Sequence, residues 1–85
     1  MPKVTIYTTP LCGYCHRAKD LLRHKGVVFE EIDLSLRPQL RAEVRARSGG
    51  RTSVPQIWIG ERHVGGSDDL YALERAGKLT TLLEA

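Results

Sequence analysis

Hydrophobic and polar residues follow two different periods along the chain, and the change between them predicts the secondary structure. Residues 3–7 alternate and are rich in β-branched and aromatic side chains, as is typical of a strand. From Gly13 the apolar positions follow a helical period, which Gly26 ends. Residues 27–33 form a second strand-like run. Because a helix joins the two strands, we expect parallel neighbours in a right-handed βαβ unit.

The second half of the chain adds more helical and strand patterns. Pro38 stands where a helix commonly begins, and Gly60 in a two-residue loop suits a type II′ hairpin turn. The further predicted elements are, in order, a helix over 38–47, strands over 54–59 and 62–64, a helix over 67–76 and a last helical turn over 79–83. The order β-α-β-α-β-β-α predicts one α/β domain over residues 1–85, with helices on both faces of a four-stranded mixed sheet.

Length and composition agree with one small domain. The 85 residues are 41% hydrophobic and 27% charged, a balance that suits a compact fold rather than a disordered chain. No apolar run approaches the roughly 20 residues that a bilayer-spanning helix needs. Residues 1–7 lack the pattern of an export signal. We therefore expect a cytoplasmic protein with no membrane association.

The charge pattern argues against nucleic acid as a partner. The net charge is +3, there are five aromatic residues, and no block of consecutive Lys and Arg occurs. Arg37, Arg41 and Arg45 fall four apart and form a stripe on a helix, which is most often a solvated face. Nucleic-acid binders usually concentrate basic residues and interleave aromatic ones, so we expect no such partner.

The two cysteines carry the most informative chemistry. A disulfide between Cys12 and Cys15 closes a loop too short to staple the fold, so the pair suits redox chemistry or metal binding. Cys12 follows a strand and opens a helix, where unpaired N–H groups and the helix dipole stabilise a thiolate. Cys15 lies one helical turn on, facing the same side but deeper. We expect Cys12 to attack a disulfide and Cys15 to resolve it.

Two metal-related interpretations of the same residues are weaker. Residues 12–16 match the CxxCH haem c pattern, but that attachment needs export and usually a distal ligand, and the only methionine is Met1. A zinc site needs four ligands, and no second CxxC or HxxxH pair accompanies His16, His24 and His63. We expect the three histidines to be surface or packing residues.

Three segments, residues 7–15, 52–55 and 65–70, resemble the glutaredoxin family. They occur in the family's order over essentially the full chain, which is far more specific than one CxxC. The chain looks most like the small bacterial glutaredoxin-3 type. The resemblance implies a thioredoxin-like fold and an oxidoreductase that reduces protein disulfides and glutathione mixed disulfides. It also implies that glutathione reduces the protein in turn.

The resemblance also implies a glutathione groove beside Cys12. Its expected lining residues are Tyr14, Ser53, Val54, Pro55, Gly66, Ser67 and Asp68. A cis bond before Pro55 would turn the Val54 backbone toward Cys12 so that it pairs with an extended peptide. The simpler alternative is that Pro55 begins an edge of a strand.

The segment around Gly66 suits the γ-glutamyl end of glutathione. Glycine lets a ligand approach the backbone, a helix N-terminus binds a carboxylate, and Asp68 can hold an ammonium. The alternative is an ordinary cap, with Ser67 or Asp68 bonding its own helix. For the glycyl carboxylate, Arg47 and Arg51 are candidates by position, and both are equally expected as solvated charges.

Three departures from the family pattern leave a second function open. Gly13 stands where proline is usual, which extends the resemblance to relatives that hold a [2Fe–2S] cluster between two protomers with glutathione as co-ligand. In that alternative Cys12 is the metal ligand. Thr9 replaces a common lysine and removes a cation near the thiolate, whereas Ser67 replaces a common cysteine.

Three functional hypotheses follow from these residues. The first is a glutathione-dependent oxidoreductase, expected to act as a monomer on glutathionylated or disulfide-containing client proteins. The second is the cluster-binding module, and the third is a thioredoxin-type reductant served by a flavoprotein reductase. The groove motifs disfavour the third.

Overall fold

The computed structural model describes residues 2–85. Its elements are, in chain order, β1 (Val4–Thr8), α1 (Gly13–His24), β2 (Phe29–Asp33), α2 (Arg41–Arg47), β3 (Gln56–Ile59), β4 (Arg62–Gly65), α3 (Ser67–Arg75) and α4 (Leu79–Glu84). A short 3-10 turn, Pro38–Leu40, leads into α2. Within residues 2–85, none of the helices has the length and apolar character needed to cross a bilayer.

The sheet has the mixed topology that the sequence predicts. Its strand order is β2-β1-β3-β4, with β1 parallel to β2 and antiparallel to β3. Strands β3 and β4 form an antiparallel hairpin in which Ile59 pairs with Arg62 across a two-residue loop. Gly60 takes a φ of 61° in that loop, a conformation that glycine adopts without steric cost. Both the parallel βαβ unit and the hairpin are confirmed.

Alternation along the strands divides the core between the two faces of the sheet. The larger core packs α1, α3 and α4 on one face, and its members are Val4, Ile6, Ala18, Leu21, Leu22, Val27, Ile57, Ile59, Leu70, Leu79 and Leu83. On the opposite face Tyr7, Trp58, Leu34 and Val44 of α2 form the smaller core. Helices therefore cover both faces, as predicted.

Two strands begin later than their hydrophobic runs suggest. The N–H of Val27 donates to the carbonyl of Leu22 at 3.1 Å and so belongs to the end of α1, while Val28 is 93% exposed. The second run begins two residues before β3, at Val54 and Pro55, and proline has no N–H for a strand ladder. Apolar character alone did not distinguish strand residues from the connections that precede them.

Candidate functional site

Cys12 occupies the N-cap position of α1. Its backbone is extended, with φ −104° and ψ 107°, and its Sγ accepts a hydrogen bond from the N–H of Cys15. The N···S distance is 3.1 Å. The same sulfur lies 3.9 Å from the backbone carbonyl of Val54 across the groove, and the side chain is partly exposed. The Cys12 sulfur is therefore held at a helix N-terminus, where its partial exposure gives a substrate access to it.

Cys15 has the opposite environment. It is 1% exposed and packs beneath Cys12 on the inner face of α1. Burial, reinforced by a hydrogen bond with the Cys12 side chain, raises the pKa of Cys15 to about 12. A backbone hydrogen bond from Thr9 and the charge of Lys19 act in the other direction. Cys15 is therefore a neutral thiol at physiological pH, held next to Cys12.

A groove beside Cys12 brings together the residues expected to bind glutathione. It encloses about 160 Å³ and is lined by Tyr14, Arg51, Ser53, Val54, Pro55, Gly66, Ser67, Asp68 and Asp69. All seven predicted lining residues belong to this set. The Val54–Pro55 peptide bond is cis, as the resemblance implies. Tyr14 stands at the groove with 58% of its surface exposed.

The cap of α3 differs from both expected residues. Gly66 is the N-cap, and its N–H donates to the Asp69 carboxylate at 2.9 Å, so neither Ser67 nor Asp68 caps the helix. The backbone hydrogen bond from Gly66, aided by Arg51 although burial opposes it, lowers the pKa of Asp69. Gly65 has a φ of 116°, and a Cβ there would collide with the Asp69 carboxylate and the Arg51 guanidinium. The cap is therefore built from residues on either side of the predicted pair.

Because neither residue caps α3, the side chains of Ser67 and Asp68 are available to a ligand. Ser67 is 4% exposed, and its Oγ has no hydrogen-bond partner among the described residues. A buried hydroxyl without a partner is uncommon and calls for a specific explanation. The Asp68 side chain, in contrast, is exposed at the same groove, and within residues 2–85 no hydrogen bond or ion pair engages it.

The two candidate arginines are separated by the structure. Arg51 lines the groove, where its Nη1 lies 3.1 Å from Asp69 Oδ2. Arg47 instead stacks on Trp58, with the guanidinium carbon 4.6 Å from the ring centroid and Nη1 3.4 Å from the Tyr7 hydroxyl. Neither is a simple solvated charge, and Arg47 is engaged on the smaller core rather than in the groove.

A buried carboxamide anchors the loop before β3, and no motif in the sequence pointed to it. Gln56 is fully buried, and its Nε2 donates to the Ser53 carbonyl at 3.0 Å. Its Oε1 lies 2.7 Å from His63 Nε2, and the His63 ring packs against Trp58. Burial lowers the pKa of His63, in keeping with the predicted packing role of this histidine. Alternation within a strand places Gln56 inward but does not say what its amide bonds.

A larger cavity adjoins the groove without reaching the cysteines. It encloses about 590 Å³ and is lined by Leu34, Arg41, Ala42, Val44, Arg45, Ala46, Gly50, Arg51, Thr52, Ser53 and Val54. It shares Arg51, Ser53 and Val54 with the groove. Size therefore does not identify the reactive site, because the sulfur chemistry lies at the smaller groove.

A strand-to-helix CxxC with one exposed and one buried thiol, on a four-stranded mixed sheet flanked by helices, defines the thiol–disulfide oxidoreductases of thioredoxin-like fold. Comparison with known proteins narrows this class. The family model described as Glutaredoxin matches residues 4–64. The chain belongs to the glutaredoxin family.

Individual relatives agree with that assignment. A glutaredoxin of Pseudomonas aeruginosa is 66% identical over 85 residues, covering 100% of both chains. Glutaredoxin 3 of Escherichia coli K12 is 52% identical over 84 residues, covering 99% of this chain and 100% of the relative. The crystal structure of a buckwheat glutaredoxin–glutathione complex superposes with a TM-score of 0.91 at 29% identity, covering 98% of this chain and 77% of that one.

Proposed function

We propose that this oxidoreductase depends on glutathione, with Cys12 as nucleophile, Cys15 as resolving thiol and the groove as the glutathione site. The observation that carries the proposal is the groove itself. It lies beside a helix-capping sulfur and contains a buried Ser67 hydroxyl that has no hydrogen-bond partner within residues 2–85. A ligand carboxylate at the N-terminus of α3 would satisfy that hydroxyl.

The groove has features suited to each part of the γ-glutamyl moiety and of the peptide that follows it. The Asp68 carboxylate can hold the α-ammonium while the N–H groups of α3 and the Ser67 hydroxyl hold the α-carboxylate. The backbone of Val54 lies within reach of Cys12 and can pair with an extended peptide. This arrangement would set the glutathione sulfur beside the Cys12 sulfur. The buckwheat relative, which was solved as a glutathione complex, supports the same assignment.

The proposed reaction on a mixed disulfide uses Cys12 alone. The Cys12 thiolate attacks the glutathionyl sulfur, and the client leaves as a thiolate that takes up a proton. A second glutathione then attacks the Cys12–glutathione bond, which yields reduced Cys12 and oxidised glutathione.

On a protein disulfide, Cys12 forms the mixed disulfide with the client. Cys15 then attacks Cys12, releases the client and leaves a Cys12–Cys15 disulfide.

A glutathione-coupled reduction assay on a small mixed disulfide tests the proposal. The informative variant is Asp68→Asn, which removes the expected ammonium partner, and its KM for glutathione should rise about tenfold because a charge-assisted bond is lost. The matched control is Asp20→Asn, an exposed acid on α1 whose side chain is 73% accessible. A wild-type protein that is reduced by a flavoprotein reductase and not by glutathione would refute the proposal.

Ser67→Ala provides a second test with two readouts. Because no side chain or backbone group of the described chain bonds the Ser67 hydroxyl, its removal should leave the free energy of unfolding unchanged or slightly higher while KM for glutathione rises several-fold. The matched control is Ser48, a buried serine whose Oγ donates to the carbonyls of Arg45 and Arg51 at 3.2 Å. Ser48→Ala should cost about 1 kcal/mol of stability, since partnered acceptors are left behind.

The cluster-binding alternative rests on Gly13. A Cβ at this position meets no atom within 4 Å, so the turn between the cysteines is open. Within residues 2–85 no three Cys, His, Asp or Glu side chains are grouped to hold a metal, and Cys12 is the only accessible thiol of one chain. A cluster therefore needs a second chain and two glutathione thiolates. Anaerobic reconstitution with iron, sulfide and glutathione should give a coloured dimer, and a colourless monomer would discard this alternative.

The remaining proposals concern the oligomeric state, the cellular location and the client proteins. We propose a cytoplasmic monomer that acts on glutathionylated or disulfide-containing client proteins. Sedimentation of the reduced chain and cell fractionation are the measurements that check the two properties.

A further inference from the structure

A charged cluster joins α1 to strands β1 and β2, and the proposed reaction does not use it. Lys19 of α1 is 9% exposed, and its Nζ lies 3.0 Å from Glu31 Oε2 on β2. The hydroxyl of Thr8 on β1 donates to the same carboxylate oxygen at 2.8 Å. Burying an ammonium costs free energy even when it is paired. A lysine on a mainly apolar helix face therefore destabilises the fold unless its interactions offset that cost.

The position of Lys19 relates it to Cys15. Lys19 follows Cys15 by four residues on α1, which places it on the same buried face about 6 Å further along the axis. Both residues are buried, and the Lys19 side chain reaches the sheet at Glu31. The charge of Lys19 acts on the Cys15 thiol in the direction opposite to burial. The groups that act on the Cys15 thiol are Cys12, the backbone of Thr9 and Lys19, and Glu31 of β2 is ion-paired with Lys19.

We propose that Lys19 is a positioning residue for the resolving step, held by Glu31 and Thr8 so that its ammonium stabilises the Cys15 thiolate during attack on Cys12. This inference rests on the dithiol route of the proposed function. In that step the Cys15 sulfur bonds to the Cys12 sulfur, and the bond between Cys12 and the bound client or glutathione breaks. The leaving thiolate takes up a proton, which replaces through solvent the one that Cys15 has lost.

Glu31 holds Lys19 in place and is not the base. Although burial opposes it, the hydrogen bonds from Lys19 and Thr8 lower the pKa of Glu31. A carboxylate that is stabilised in its charged form is a poor proton acceptor. Its negative charge also works against a thiolate nearby, so Lys19 and Glu31 should influence Cys15 with opposite signs.

The chain contains a matched cluster with no cysteine beside it. Lys25 follows the C-terminus of α1, and its Nζ lies 3.0 Å from Glu74 and 2.6 Å from the Thr80 hydroxyl. The Lys25 side chain is 18% accessible, against 11% for Lys19. Each cluster joins α1 to another part of the fold through one lysine, one glutamate and one threonine. Lys25→Met therefore controls for the loss of a half-buried ion pair.

The test measures ring closure directly. The reduced full-length chain is treated with oxidised glutathione to form the Cys12–glutathione mixed disulfide, and release of glutathione is followed from pH 6 to pH 9. Lys19→Met should slow closure about threefold at every pH in this range. A tenfold loss of thiolate is partly offset by the greater nucleophilicity of the remaining thiolate, for a Brønsted exponent of about 0.4–0.5.

Three further variants separate an electrostatic role from a structural one. Lys19→Arg keeps the charge and should restore most of the closure rate, whereas Lys25→Met should leave the rate within about 1.5-fold of wild type. Glu31→Gln breaks the same ion pair but removes a negative charge, so closure should be unchanged or faster. Equal slowing by Lys19→Met and Glu31→Gln, or by Lys19→Met and Lys25→Met, would overturn the inference.

Failure of the proposed function is distinguishable from failure of this inference. If no mixed disulfide forms at Cys12 in the wild type, the glutathione route itself is wrong. If it forms and closes equally fast in wild type and Lys19→Met, the oxidoreductase proposal stands and the role of Lys19 is refuted.

Discussion

Cys12 and Cys15 are chemically identical, lie one turn apart on the same helix and have opposite environments. The sulfur of Cys12 caps α1 at the edge of the groove, where it accepts a backbone N–H and contacts solvent. Cys15 is buried against the sheet, and its pKa is raised to about 12. The difference shows that a helix N-terminus at the protein surface gives two residues of one type different exposure and different hydrogen-bond partners. Under the proposed function the exposed thiol is the nucleophile and the buried thiol is the resolving group.

The contrast between the two cysteines should have its largest effect on the turnover of a glutathione mixed disulfide. Cys12→Ser should reduce the glutathione-coupled reduction of a small mixed disulfide by about a thousandfold or more, because the nucleophile is lost. Cys15→Ser should keep activity within a few-fold of wild type, since the monothiol route does not use this thiol. Steady-state kinetics with both variants measures the contrast, and equal losses would contradict the division of roles.

Labelling should show the same contrast without catalysis. At pH 7–8 iodoacetamide should modify Cys12 at least ten times faster than Cys15, because Cys15 is both buried and protonated. Peptide mass spectrometry after timed quenching gives the two rates separately. In denaturant the two rates should become similar, which shows that the folded structure and not the local sequence causes the difference. Comparable labelling in the native state would argue against the burial of Cys15.

The raised pKa of Cys15 also predicts a pH dependence of stability. Folding favours the neutral thiol, since the pKa rises from 9.0 to about 12 in the folded chain. The contribution of the Cys15 thiol to the free energy of unfolding is fully present below pH 9. It is lost as the pH rises toward 12, at about 1 kcal/mol per pH unit. Urea unfolding at pH 8, 9 and 10 measures this loss. Cys15→Ser lacks the titrating thiol, so its stability should fall less steeply, and parallel curves would rule out the effect.

The smallest expected effect concerns Gly13, the first of the two residues between the cysteines. Gly13→Pro should raise the free energy of unfolding by about 0.4–1 kcal/mol, because proline restricts the unfolded chain. The position accepts it, since Gly13 is the first helical residue and an added Cβ meets no atom within 4 Å. Cys12 before it is already extended, as a residue preceding proline must be. Gly13→Ala serves as the control, and a destabilised Gly13→Pro would show that the turn needs the freedom of glycine.

Much of the site could be predicted because its signals are local. A strand followed by CxxC and a helix places one cysteine at a helix N-terminus, whatever the rest of the fold does. The lining residues of the groove were found through resemblance of three separate segments, and the structure brings all seven together. Roles that depend on which side chain reaches a given backbone group were harder to predict. The alternative to ligand binding was that Ser67 or Asp68 caps its own helix, but the Asp69 carboxylate accepts the Gly66 N–H instead.

The partners of buried polar groups were outside the reach of sequence reasoning. Lys19 and Glu31 are twelve residues apart, and nothing in the local pattern links them. Gln56 and His63 meet only because β3 and β4 form a hairpin with a register shift between Ile57 and Trp58. Arg47 and Arg51 looked equivalent in the sequence, yet one packs on Trp58 and the other lines the groove.

By itself, the sequence determined the order of strands and helices, the place of the CxxC at a helix start and the family, since each depends on neighbours along the chain. Only the tertiary structure decided which thiol is buried, which carboxylate caps α3 and which hydroxyl has no hydrogen-bond partner within residues 2–85. Those properties depend on distances between segments remote in sequence, and burial and hydrogen bonding are set by packing rather than by residue type.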